Sequence, residues 1–121
     1  MIDILEDIWV ITEAGIACWN LKQNSFIRDQ YMGMIMCALN ILAKKVTQKE
    51  LHNFEVGNNR FYILRKSSLI FAGMSDKDVD EELATKELDK NSNKFINYYP
   101  KEMFTNWDND ISVFSDFSQY I

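Results

Sequence analysis

The sequence predicts an α+β domain with a five-stranded antiparallel sheet and helices on both faces of that sheet. Short segments rich in β-branched and aromatic residues, separated by turn residues, alternate with longer helical segments. Two of the predicted strands, 8–11 and 69–72, are apolar on both faces, so each must be covered on both sides. Placing these two strands side by side at the sheet centre gives the strand order 2-1-5-4-3.

The predicted elements follow the order β-β-α-β-β-β-α-α within a single domain, residues 1–121. Gly15 suits the first tight turn, Asp29 is a helix N-cap, Gly57 marks a hairpin, and Ser75 opens a helix as in a capping box. The predicted segments are strands at 4–12 and 15–22, a helix from 29 to about 46, strands at 51–57, 59–66 and 68–74, a helix from 76 to the low 90s or 98, a short piece after Pro100, and a last helix capped by 108–110 and ending at Ile121.

Composition and charge exclude several classes of function. The 121 residues are 47% hydrophobic and 26% charged, which is typical of a globular domain. A net charge of -5 argues against nucleic acid and against anionic lipid as ligands. The acidic amino terminus does not resemble a secretory signal, and the uncharged run 30–43 is shorter than the roughly 20 residues that cross a bilayer. We therefore expect a cytoplasmic protein without membrane insertion, in which Cys18 and Cys37 are small buried hydrophobes.

The first predicted helix is apolar on two sides. One broad stripe is expected to cover the sheet; it comprises Met32, Ile35, Met36, Leu39, Leu42, Ala43 and Val46. A second stripe lies opposite and comprises Met34, Cys37, Ala38 and Ile41, flanked by Gly33. Either a loop or the amino-terminal residues cover this second stripe, or it forms a helix-mediated dimer in which Gly33 and Ala38 permit close approach. The dimer is the interpretation we favour.

No catalytic, cofactor or metal site is expected. The acidic segment 76–87 places carboxylates at the ligand positions of a calcium-binding loop, but Glu81 stands where the sharp turn requires glycine. The only histidine, His52, has no other potential metal ligands near it at the spacing of a metal site. No nucleophile motif or phosphate-binding glycine loop is present, so the protein is predicted not to be an enzyme.

The stretches "WVITEAGIACWN" near the start and "KFINYYPKEMFTNWDNDISVFSDFSQYI" at the end resemble those of longin-like domains. Such domains show a hydrophobic first strand, a glycine in the first turn, and a tail with Phe, Trp and a spaced pair of Phe. The matching positions are Gly15, Phe95, Trp107, Phe114 and Phe117. The sister roadblock domains begin with a helix before the first strand, whereas this chain begins almost at that strand, which favours the longin branch.

This resemblance implies a non-catalytic interaction module. Its relatives include adaptor chains and paired platforms that bind small GTPases, and members pair through the first helix and the adjacent edge strand, which here contains Trp19. The implied partners are a second copy or a second longin/roadblock-type chain, and a small GTPase or a membrane-trafficking complex that could hold the protein at a membrane. One rival is a small-molecule sensor on a similar sheet, and another is a purely structural subunit of a larger complex. The aromatic tail around Trp107 is interpreted as core, with a partner hot spot as the alternative.

Overall fold

A computed structural model, which describes residues 4–22, 26–49 and 51–120, contains one antiparallel sheet with the order β2-β1-β5-β4-β3. The strands are β1 (Asp7–Thr12), β2 (Ala17–Asn20), β3 (Asn53–Val56), β4 (Asn59–Lys66) and β5 (Leu69–Asp76). The helices are α1 (Phe26–Thr47) and α2 (Glu81–Tyr98), followed by two 3-10 segments, Lys101–Phe104 and Ile111–Tyr120. The predicted fold class and strand order are confirmed.

The central pair of strands is buried on both faces, as the sequence pattern predicted. β1 and β5 pair along their length, from Asp7 opposite Met74 to Thr12 opposite Leu69. Their alternate side chains form two separate hydrophobic clusters. The cluster under α1 contains Trp9, Ile11, Ala17, Met36, Ile63, Ile70 and Ala72. The cluster on the other face contains Ile8, Val10 and Phe71 together with residues of α2 and of the last 3-10 segment.

Two tight turns at one end of the sheet use left-handed backbone. Gly15, between β1 and β2, has a φ of 88°. Ser67 and Ser68, between β4 and β5, have φ values of 53° and 63°. Positive φ at both central residues defines the two-residue turn whose twist matches that of the flanking strands, and Lys66 pairs directly with Leu69 across it. The predicted hairpin at this position is confirmed.

A β-bulge in the first hairpin changes which side chains share a face. Val10 is opposite Trp19, but the next residue, Ile11, is opposite Ala17, so Cys18 is the extra residue. Ala17 therefore faces α1, whereas Trp19 faces the α2 side. Strict alternation along the predicted strand 15–22 would place Ala17 and Trp19 on the same face; this expectation is wrong, because alternation fails where a residue is inserted.

Both long helices begin at a different residue from the one predicted. α1 begins at Phe26, so Asp29 lies in its first turn and is not the N-cap. α2 begins at Glu81, with Asp80 as the N-cap that accepts a hydrogen bond from the Glu82 amide at 2.8 Å. Ser75 belongs to β5 and is fully buried. The capping box at Ser75 was wrong because β5 continues its pairing with β4 as far as Asp76.

The last predicted helix is present as a 3-10 segment, Ile111–Tyr120, and Ile121 lies outside the described residues. With three residues per turn, side chains three apart lie on the same side. Phe114 and Phe117 have this spacing and are both 1% exposed. The C-terminal aromatics thus fill the core on the α2 side, as the sequence interpretation proposed.

Candidate protein-interaction surface

The side of α1 that contacts the sheet is narrow. Among residues 28–47 of this helix, only Gly33, Met36 and Asn40 are buried, and these residues repeat at intervals of three and four along the helix. Gly33 lies so close to the first turn that a Cβ atom there would be 2.5 Å from the Gly15 carbonyl oxygen. A glycine at this position lets the helix backbone approach the β1–β2 turn directly.

Polar contacts hold the first half of α1 in place. The Trp9 indole donates a hydrogen bond to the Asp29 carboxylate at 3.2 Å. The Gln30 amide accepts a hydrogen bond from the Ala17 N–H at 3.0 Å and donates one to the Ala17 carbonyl at 2.9 Å. The Cys37 thiol donates to the Glu13 carbonyl at 3.2 Å. Gln30 thereby forms the hydrogen bonds with the Ala17 N–H and carbonyl that a neighbouring strand would form. The free edge of β2 is therefore occupied at Ala17.

The opposite side of α1, here called the outer face, is apolar and exposed. It carries six large hydrophobic side chains that are between 50% and 73% exposed: Tyr31, Met34, Ile35, Ile41, Leu42 and Val46. Ala38 is exposed among them. At 100° per residue these positions span an arc of about 140°, with Lys45 inside the arc and Arg28 at its edge. No described residue covers the outer face.

The predicted assignment of the two stripes was partly wrong. Ile35, Leu42 and Val46 were expected to cover the sheet, but they lie on the outer face. The helix is rotated by about a quarter turn from the predicted orientation, estimated at 100° per residue. The cause is the contact at Gly33, which places Met36 and Asn40 against the sheet and turns those three side chains toward solvent.

The residues predicted to form the interface are distributed over three locations. Met34, Ala38 and Ile41 lie on the outer face. Gly33 and Cys37 pack against the first turn. Trp19 is only 7% exposed on the opposite face of the sheet, where its indole donates to the Ser118 hydroxyl at 3.2 Å and its ring packs edge-on against Phe117. An interface formed by the side chains of this helix could therefore use the first three residues directly.

Three of the carboxylates considered as calcium ligands form hydrogen bonds of their own with backbone amides. Asp76 accepts from the Asp78 amide, and Asp80 caps α2. Glu87 accepts from the amides of Ile4 and Leu5 at 3.0 and 2.8 Å. Within residues 4–22, 26–49 and 51–120, no group of three or more candidate ligands lies close together.

Cys18 is buried as expected, whereas Cys37 is only partly buried because it lies at the side of α1 beside the first turn. Burial raises the pKa of the Cys18 thiol to about 12, so the thiol stays protonated at neutral pH. Its Sγ donates to the Val10 carbonyl at 3.4 Å. A thiol in this state is a poor nucleophile.

A cleft of about 310 Å³ lies between the two left-handed turns and the residues that follow α2. Its walls include Leu69, Phe104 and Trp107, and Lys101 is a charged residue beside it. This volume is at the lower limit for small-molecule pockets, and the Trp107 indole already donates to the Asp110 carbonyl at 3.0 Å.

Neither described helix has both the length and the hydrophobicity needed to span a membrane.

No protein-family model and no curated protein sequence matches the chain. Solved structures do match. Myxococcus xanthus MglB is 16% identical with a TM-score of 0.57, over 78% of this chain and 83% of that one. A Roadblock/LC7 domain from Streptomyces avermitilis is 10% identical with a TM-score of 0.66, over 79% of this chain and 86% of that one. The chain therefore has the longin/roadblock-type fold.

Proposed function

We propose that this protein is a non-catalytic association module that pairs through the outer face of α1 with a second copy or with another chain of the same fold. The observation that supports pairing is the concentration of six half-exposed hydrophobic side chains on one arc of one helix. At roughly 100 Å² apiece they present on the order of 600 Å², the upper end of the patches that monomers carry. A stable interface buries about 800 Å² per partner, so this face would supply most of one.

The order of residues on the outer face suits antiparallel pairing of two α1 helices. A two-fold axis at Ala38 would place Met34 opposite Leu42, and Ile35 opposite Ile41, in both directions. It would also place the Lys45 ammonium near the Tyr31 ring of the other copy, where a cation and an aromatic face attract each other. The small side chain of Ala38 lets the helices approach at their crossing point.

Light scattering tests this pairing. We expect a mass near twice the 14.2 kDa chain mass. Met34→Asp or Ile41→Asp should give the monomer mass with unchanged circular dichroism, because a carboxylate cannot be buried unpaired in an apolar contact. Met103→Asp is the matched control, since Met103 is 41% exposed outside the outer face, and it should leave the dimer intact. A wild-type protein that stays monomeric at high concentration would refute the pairing.

We further propose that the paired module binds a small GTPase or serves as an adaptor subunit in membrane trafficking. This part rests on the resemblance to longin-like domains and on the fold. Small GTPases from the same organism, loaded with GDP or with a non-hydrolysable GTP analogue, should be retained on immobilised protein in one nucleotide state. The absence of retention in both states would exclude the GTPase role and leave the adaptor role.

A further inference from the structure

The exposed side of α2 carries a row of three lysines on the face of the sheet opposite α1. Lys86, Lys90 and Lys94 are spaced four residues apart, so they lie along one line on the helix surface. Successive positions rise by about 6 Å, and the row spans about 12 Å. We call these three residues the lysine row.

Three of the four acidic residues of α2 are engaged by groups outside the helix. Asp89 pairs with Lys66. Glu81 accepts hydrogen bonds from Asn53 at 3.1 Å and from Arg60 at 3.5 Å. Glu87 is bound by two amides of the segment before β1. These three carboxylates are therefore directed toward the sheet or the segment before β1.

The lysines themselves have little compensation. Lys86 pairs with Glu82 at 3.5 Å, but both side chains are more than 70% exposed, so the pair is weak. Lys90 and Lys94 form no ion pair with any residue in the described part of the chain. A chain with a net charge of -5 thus presents a local line of positive charge.

A cleft of about 240 Å³ adjoins the lysine row. It lies between the segment before β1 and α2, and its lining combines the three lysines with Ile4, Leu83, Glu87 and Asn91. Leu83 is 49% exposed. The site therefore offers positive charge along the lysine row and two aliphatic side chains, Ile4 and Leu83, in the adjoining cleft, where the Glu87 carboxylate is bound by two amides.

We infer that the lysine row binds an extended acidic segment of a partner protein, with carboxylates at alternate positions and one aliphatic side chain in the adjoining cleft. In an extended chain, alternate residues point the same way at intervals of about 6.7 Å, close to the spacing of the lysines. The aliphatic side chain would contact Ile4 and Leu83. This inference does not depend on pairing through α1.

An acidic peptide fits these features better than a phosphate surface does. The row is one residue wide, and the overall negative charge of the chain opposes a large polyanion. The aliphatic side chains of the cleft, Ile4 and Leu83, would not be contacted by a nucleic-acid backbone, and a flat membrane surface cannot enter the cleft.

The test uses a fluorescein-labelled peptide with one leucine followed by three glutamates at alternate positions, measured by anisotropy against the full chain. Lys90→Gln with Lys94→Gln should weaken binding about tenfold, and added salt should weaken binding to the wild type. A peptide with glutamines in place of the glutamates should not bind. Lys44→Gln with Lys49→Gln, two exposed lysines at the end of α1, is the matched control and should bind as the wild type does.

Three results would overturn the inference. One is equal binding by the Lys90/Lys94 variant, and another is equal binding of the glutamine peptide. The third is tighter binding of anionic phospholipid vesicles or single-stranded RNA through the same two lysines. Met34→Asp should leave peptide binding unchanged, so a failure of the pairing through α1 and a failure of this site can be told apart.

Discussion

The two helices cover opposite faces of the same sheet but use their apolar residues differently. α2 has 18 residues and buries Ala84, Leu88, Asn91, Ser92 and Phe95. α1 has 22 residues and, among the 20 whose burial is described (28–47), buries only Gly33, Met36 and Asn40, with six large hydrophobic side chains left half exposed or more. The apolar side of α2 is buried against the rest of the chain, whereas some apolar residues of α1 contact the sheet and others are exposed to solvent. A helix divided in this way is the part of the fold most suited to a partner.

Aromatic packing explains why α2 is held firmly. Phe95 is completely buried, and its ring lies within 6 Å, centroid to centroid, of the rings of Phe71, Tyr99, Phe114 and Phe117. Two of these four contacts, those with Phe71 and Phe117, are edge-on, an arrangement that aromatic pairs prefer. One side chain thereby connects β5, α2 and the last 3-10 segment.

The contact under α1 is thinner and includes an unsatisfied polar atom. Within residues 28–47 of α1, Met36 is the only large side chain that is completely buried. Asn40 is 3% exposed, and its Oδ1 accepts no hydrogen bond from any described residue. Such a group costs about 1–3 kcal/mol. Gly33 and the polar contacts near Ala17 therefore contribute much of what fixes α1.

The largest expected effect is on the α2 side. Phe95→Ala should lower the free energy of unfolding by about 3–5 kcal/mol, because it removes four ring contacts and leaves a cavity. Ile35→Ala, on the outer face, should change it by less than about 0.5 kcal/mol in a monomeric background such as Met34→Asp. Urea unfolding followed by circular dichroism measures both. Equal losses would contradict the contrast between the two helices.

Gly33→Ala tests the close approach of α1 to the first turn. The added Cβ would meet the Gly15 carbonyl oxygen at 2.5 Å and the Ala17 nitrogen at 3.2 Å, so backbone must move. We expect a loss of about 1–3 kcal/mol in the free energy of unfolding, measured by urea titration. In an open helix the same change stabilises by about 1 kcal/mol. A gain in stability would therefore show that the helix and the turn are further apart.

The sheet could be predicted from the sequence because its signals are redundant. Segments 8–11 and 69–72 are apolar on both faces, which allows only central positions, and the turn residues fix the hairpins. The position of Trp19 could not be predicted, because a bulge at Cys18 reverses the alternation and has no local signature.

The rotation of α1 and the start of α2 were missed for a related reason. α1 is apolar on two sides, so periodicity alone leaves its orientation open, and the close contact at Gly33 decides it. Ser75, Asp76, Asp78 and Asp80 can all cap a helix. The pairing of β5 with β4 as far as Asp76 leaves Asp80 as the cap, and such long-range pairing is not visible in local residue types.

The smallest expected effect concerns the attachment of the last 3-10 segment to α2. Hydrogen bonds from the Tyr99 and Tyr98 hydroxyls lower the pKa of the Asp116 carboxyl below its ordinary value of 3.8. A lowered pKa in the folded state gives stability that is present above the unfolded pKa and is lost as the pH falls through the folded pKa. Because Asp116 is partly exposed, water screens these bonds and the effect should be modest.

Asp116→Asn removes this titration. The free energy of unfolding of the variant should therefore decrease less than that of the wild type between pH 6 and pH 2, a window that contains the unfolded Asp pKa of about 3.9. Tyr98→Phe with Tyr99→Phe removes the same bonds from the other side and should reduce the pH dependence in the same direction. If either variant retains the full wild-type dependence, the hydrogen bonds to Asp116 do not contribute to the attachment of the C-terminal segment. The contrast between the two helices would then rest on apolar contact and on the ion pairs that α2 forms with Lys66 and Arg60, without a contribution from Asp116.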